Sequence, residues 1–142
     1  MCLALAAWLV GSGWCRADDE SHAIRGAQSL AVALEEDGFY FRAEPWVSEI
    51  TPQLGKAVRV QLFKGNDYRF CVAVPRDSGV KITATVLDFE GKAGGDLRPL
   101  EEGWGLVLEY RPRKTGVYVV AVRELEGSPA KATPCAILVG YE

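Results

Sequence analysis

The sequence predicts a mainly β protein, an antiparallel β-sandwich preceded by one N-terminal α-helix. Short runs from Ala57 onward alternate apolar and polar residues with period two, clusters of turn residues separate the runs, and a single stretch ahead of them has helical spacing. Leu62 to Gly91 shows the pattern most plainly. Gly65-Asn66-Asp67 is a tight-turn cluster, because glycine and asparagine tolerate positive φ and aspartate can bond its own backbone. Tyr68, Phe70, Val72 and Val74 then alternate with Arg69, Cys71 and Ala73, which puts the two sets on opposite faces. After the break at Pro75 to Gly79, Val80, Ile82, Ala84 and Val86 alternate with Lys81, Thr83, Thr85 and Leu87, and Asp88 to Gly91 turns the chain again.

Taken in order, the chain opens with an apolar run over Met1 to Val10, then Gly11-Ser12-Gly13 and Cys15-Arg16-Ala17. This has the core and small-residue cleavage region of a secretory signal peptide, so residues 1–17 are expected to be removed, placing the protein in the periplasm or outside the cell. A lipidated Cys15 is the weaker reading, because Trp14 is too large for the position before such a site. Ser21 to Glu36 carries Ala23, Ile24, Ala27, Leu30, Ala31 and Leu34 at three- and four-residue spacing, an amphipathic helix with Asp37-Gly38 as its stop. Residues 18–56 are thus expected to be this helix and a connecting segment, and residues 57–142 the sandwich domain. Within the connection, Trp46 is expected to cap the core, a sugar-stacking platform being the alternative.

The strands continue with Val58, Val60 and Leu62. Gly91 to Gly103, rich in glycine and charge, is expected to be a long surface loop. Trp104 to Tyr110 alternates again, Pro112-Arg113-Lys114-Thr115-Gly116 turns, and the nearly all-apolar Val117 to Val122 has the mark of a central strand. A polar connection over Glu124 to Pro134 leads to a last strand, Cys135 to Tyr141. Six or seven strands are expected in all.

Four features together resemble the bacterial pre-peptidase C-terminal domain. They are the Gly-x-x-Tyr-x-Phe strand entry (Gly65, Tyr68, Phe70), the Asp-x-x-Gly turn (Asp88, Gly91), the Thr-Gly-x-Tyr-x-Val corner (Thr115, Gly116, Tyr118, Val120) and the final apolar strand. The resemblance spans about Val58 to Tyr141. It implies a jelly-roll-like sandwich of a secreted protein with an accessory, non-catalytic role. At the corner, Gly116 is expected to permit a sharp turn, while Tyr118 buries its ring and sends its hydroxyl to backbone. Some related modules bind calcium. The counterparts here are Asp88 and Glu90 before Gly91, with Asp96 beyond Gly94-Gly95, although polar residues in a glycine-rich loop need no ligand to explain them.

Catalytic chemistry finds little purchase in this sequence. His22 is the sole histidine and lies near the expected cut, so neither a zinc cluster nor a Ser-His-Asp arrangement has a natural base. No catalytic or cofactor-binding residue is assigned. The net charge of −3 is spread along the chain, which argues against a nucleic-acid partner. The expected function is a non-catalytic exported module that binds a protein or polysaccharide of the envelope or exterior, or stabilises a partner. A secreted hydrolase whose carboxylates converge only in the fold is the alternative. After cleavage the cysteines left are Cys71 and Cys135, and export to an oxidising compartment leads to the expectation of a disulfide between them, two buried thiols being the alternative.

Overall fold

Among the described residues one α-helix and ten strands build three layers. The computed structural model describes the backbone of residues 2–126 and 132–142 and the side chains of residues 18–125 and 132–142. Helix α1 spans Cys2–Glu36. The strands are β1 (Tyr40–Phe41), β2 (Trp46–Ile50), β3 (Lys56–Leu62), β4 (Tyr68–Ala73), β5 (Lys81–Leu87), β6 (Ala93–Gly94), β7 (Asp96–Pro99), β8 (Gly105–Tyr110), β9 (Gly116–Glu126) and β10 (Thr133–Tyr141). One sheet has the order β1-β10-β4-β8-β7, with β2 also on β10, and the other has the order β3-β9-β5-β6. Every pairing is antiparallel. The mainly β sandwich with one N-terminal helix is therefore the fold of this chain.

The period-two runs act as expected. Phe70, Val72, Leu106, Leu108 and Val139 from the larger sheet meet Val60, Leu62, Val86, Tyr118, Val120 and Val122 from the smaller one, all buried. Each such side chain contributes roughly 1.5–3 kcal/mol relative to exposure. As its apolar run suggested, β9 is central, between β3 and β5.

The other face of the larger sheet is covered by α1. Ala23, Ala27 and Ala31 are buried in the core, and a Cβ on Gly26 would lie 3.1 Å from both the Ala73 Cβ and the Trp104 ring. Opposite Ala73 is Gly105, whose own missing Cβ would meet Leu30. Small residues on both partners bring the backbones close, so Gly26, a weak point for a helix in isolation, is what lets this one dock. Trp104 closes the seam: its ring carries the Arg76 guanidinium at 4.4 Å, and its indole N–H donates to Glu102 at 3.0 Å.

The helix begins at Cys2 rather than near Ser21 and runs through the expected cleavage point. No proline occurs before Pro45, and glycines weaken a helix without removing a donor. Its end is as expected. Gly38 has φ +102°, its N–H bonds the Glu35 carbonyl at 3.1 Å, and the Phe39 N–H bonds the Leu34 carbonyl at 3.0 Å, a Schellman stop.

Three further expectations are corrected. The connecting segment contains β2, so Trp46 sits in a strand opposite Ile137, half-buried against the core. The Gly91 to Gly103 loop contains β6 and β7, which bind the two sheets in turn. The Cys71–Cys135 disulfide is not formed, and both cysteines are buried free thiols. Register gives the reason. Cys71 pairs with Leu138, three residues beyond Cys135, so the two thiols point to opposite faces of the sheet. Burial pushes each thiol up to about 12, with Glu35 adding to the effect at Cys71. The side chains of the expected export segment, and residues 127–131 of the expected polar connection, lie outside the described residues.

Candidate functional site

At one edge of the sandwich the chain crosses from the smaller sheet to the larger through Gly94-Gly95-Asp96. Gly94 pairs with Val86 on one side, Asp96 pairs with Glu109 on the other, and Gly95 makes the switch with φ +102°. A Cβ on Gly95 would sit 2.9 Å from Leu108 and 3.3 Å from the Glu109 carbonyl, so the crossover hugs β8. Beside it opens a concavity of about 510 Å³, within the range of small-ligand sites.

Its floor is aromatic. Tyr118 from β9 and Tyr110 from β8 meet edge-to-face across the two sheets with centroids 5.5 Å apart, and Phe89 lies 5.0 Å from Tyr118 on the other side. Tyr118 is buried, whereas Phe89 is 55% exposed. The Tyr118 hydroxyl donates to the Lys114 carbonyl at 2.6 Å, the tyrosine-corner bond expected from the sequence. Gly116 serves the corner differently from expectation: it does not have positive φ, but a Cβ there would lie 2.4 Å from the Phe89 ring. The glycine makes room for the aromatic ring at the tip of the neighbouring turn.

The two rims differ in charge. On one side is the turn after β5, with Asp88, Glu90 and Lys92, and on the other the turn before β9, with Arg111, Arg113 and Lys114. Asp88 is partly committed to its own turn: its Oδ1 accepts the N–H groups of Glu90 and Lys92, each at 2.9 Å. Glu109 is held by Arg69 at 2.9 Å and by Arg98. Arg111 reaches out to Asp67 at 3.2 Å. Burial raises the Asp67 carboxyl, but hydrogen bonds and charge from Arg69 and Arg111 outweigh it and hold it below its usual range. Tyr110 is shifted upward, first by burial, then by Tyr118 and Asp88, against the opposing charge of Arg113. Its phenol therefore stays protonated through the neutral range.

Asp88, Glu90 and Asp96 line this one concavity, so the fold does gather the three candidate residues. It does not turn them into a cation cage: among the described residues no group of three or more His, Cys, Asp or Glu side chains could hold a metal ion. His22 lies elsewhere, beside Arg25 and Arg76. Reading the sequence missed Phe89 and the basic pair Arg113-Lys114. An aromatic residue between two acids at a turn tip was the available signal.

No helix among the described residues is long and apolar enough to cross a membrane. No protein-family model matches the chain, and the search of curated proteins finds no match.

Proposed function

We propose that this chain is an exported, non-catalytic binding module, a sandwich of the pre-peptidase C-terminal type, that holds a saccharide in the concavity beside Tyr118. The observation that carries the reading is the half-exposed Phe89 ring, fixed between Gly116 and Tyr118 on the floor of a polar basin. A sugar ring has one apolar face of C–H groups and a rim of hydroxyls. Stacking on an aromatic while polar side chains take the hydroxyls is the combination that recognises it. Asp88 and Glu90 supply acceptors on one rim and Arg113 and Lys114 donors on the other.

The hydrolase alternative needs two carboxylates facing one bond, one of them free to donate a proton. In this basin Glu109 is clamped by two arginines and Asp88 accepts two backbone N–H groups, an arrangement that favours holding over cleaving. Export rests on residues 1–17, and N-terminal sequencing of protein from the native envelope tests it: a chain starting at Asp18 is expected, and one starting at Met1 would contradict it. The binding reading is tested by retention on immobilised polysaccharides. Retention by the wild type and its loss in Phe89→Ala, with unchanged circular dichroism, are expected. Equal behaviour of the two proteins would remove the basin from the account.

A further inference from the structure

We infer that the basin selects acidic saccharides, with a sugar carboxylate bound by Arg113 and Lys114, an inference that rests on the saccharide reading above. The charges around the basin are not equally committed. Glu109 has Arg69 and Arg98 as partners, Asp96 lies in the field of Arg98, and Asp88 Oδ1 accepts two backbone N–H groups. Arg113 and Lys114 are exposed and have no ion-pair partner among the described residues. Lys92 is likewise exposed and without an ion-pair partner among the described residues, but it shares its turn with Asp88 and Glu90, so the rim with net positive charge to spare is the turn between β8 and β9.

That turn is also held in place. The Lys114 carbonyl is bonded by the buried Tyr118 hydroxyl, and the Lys64 N–H donates to Thr115 Oγ1 at 2.9 Å, so the C-terminal side of the basic pair is anchored to β9 and to the turn after β3. Anchoring of the backbone lowers the ordering cost that two long cationic side chains bring to an anion. A guanidinium fork and an ammonium suit a carboxylate, which accepts two parallel hydrogen bonds from the former. Across the basin the remaining acceptors, Asp88 Oδ2 and Glu90, can take hydroxyl protons but would repel a second carboxylate. The ring between them lies over Phe89. The arrangement therefore orients its ligand: carboxylate towards Arg113 and Lys114, hydroxyls towards Asp88 and Glu90. A uronic acid satisfies both rims with matched charge, whereas a neutral hexose offers the basic rim only uncharged hydroxyl acceptors.

The test is titration calorimetry of the full chain in about 0.15 M salt, an ionic strength that screens non-specific attraction. The probes are tetramers of galacturonate, glucuronate and mannuronate, each beside the same tetramer with its carboxylates reduced to alcohols. At least one acidic tetramer should bind tenfold or more tightly than its reduced form. The double variant Arg113→Ala/Lys114→Ala should erase that preference, while Lys56→Ala/Arg59→Ala, which removes the same two charges from exposed positions on β3, should keep it. Phe89→Ala should abolish binding of both forms. Equal affinity for acidic and reduced tetramers in the wild type, with loss of both in Phe89→Ala, overturns acid selection and leaves the saccharide site standing. Acid preference that survives the double variant overturns the assigned residues. Absence of binding to every probe overturns the acid-selective site and the saccharide reading together.

Discussion

The seam under α1 and the basin beside Tyr118 are both built around a glycine that makes room for an aromatic ring, yet they do opposite things with it. At the seam Gly26 lies 3.1 Å, measured from its absent Cβ, from Ala73 and from the Trp104 ring, and the space is closed. Trp104 is buried with its indole N–H satisfied by Glu102. At the basin Gly116 admits Phe89 to 2.4 Å from where its Cβ would be, and the ring stays half in solvent with charges on either hand. The difference teaches where to look for function. A close approach that ends in burial is packing, and one that holds an aromatic ring open at the side of a polar basin presents a face that a ligand can cover.

The largest expected break is at the floor of the basin, where fold and site share a residue. Tyr118→Ala should lower stability by about 3 kcal/mol or more, as deletion of a buried aromatic does, and Tyr118→Phe by about 1 kcal/mol for the hydrogen bond alone. Denaturant midpoints measure both. If Tyr118→Ala leaves the midpoint unmoved, the corner does not support the sandwich.

Next is the seam. Gly26→Leu inserts a branched side chain where even a methyl is tight, so about 1–3 kcal/mol of stability should be lost while ligand affinity stays within error. Loss of binding without loss of stability would show that helix and basin are coupled. At the basin the corresponding change should act the other way round. Gly116→Ala pushes back only the tip of the half-exposed Phe89 ring, so stability should fall by about 1 kcal/mol or less and saccharide affinity by tenfold or more. A stability loss as large as that at Gly26 would mean the ring is packing rather than platform.

A buried carboxylate sharpens the contrast with the solvated charges of the basin. Glu124, on β9, is 9% exposed, and neither carboxylate oxygen has a hydrogen-bond partner among the described residues. Burial raises its carboxyl above the usual value. For an acid raised on folding, the ionised form costs stability above the folded value, and the cost disappears as pH falls below the unfolded one. Glu124→Gln should therefore stabilise at pH 7, by about 1 kcal/mol or less, with the gain fading by about pH 4. Thermal midpoints across that range check it, and a gain that persists at pH 4 would show that charge is not the cause. The smallest expected effect belongs to the thiols. Reductant should leave the thermal midpoint unchanged, and Cys71 and Cys135 should alkylate only on unfolding. A linked Cys71–Cys135 peptide in non-reduced mass spectrometry would contradict the register.

Side-chain patterns were what the sequence displayed, and what it hid were contacts set by backbone. Tyr68 to Val74 and Val80 to Val86 could be read because alternation reports which face is buried, and Asp37-Gly38 because a Schellman stop is local. Strands β6 and β7 were invisible in Gly91 to Gly103: two- and four-residue edge strands bear no buried run, and ladder hydrogen bonds place them. The continuous helix escaped notice for the reverse reason, since Gly11-Ser12-Gly13 has the look of a break while removing no hydrogen bond. At the site the three acidic residues were identified, but the cations that face them across the basin were not. Their significance depends on Arg113 and Lys114, more than twenty residues away from Asp88, and on the free cysteines' register only pairing could speak.

The central claim is that the basin, not the seam, is where this protein meets its ligand. Amide chemical-shift mapping of the full chain during titration with the best-bound oligo-uronate tests it most directly. Perturbations confined to Asp88 to Asp96 and Tyr110 to Tyr118, saturating with one affinity, are the predicted result. Shifts centred on Ala23 to Ala31 and Trp104, with the basin silent, would contradict it.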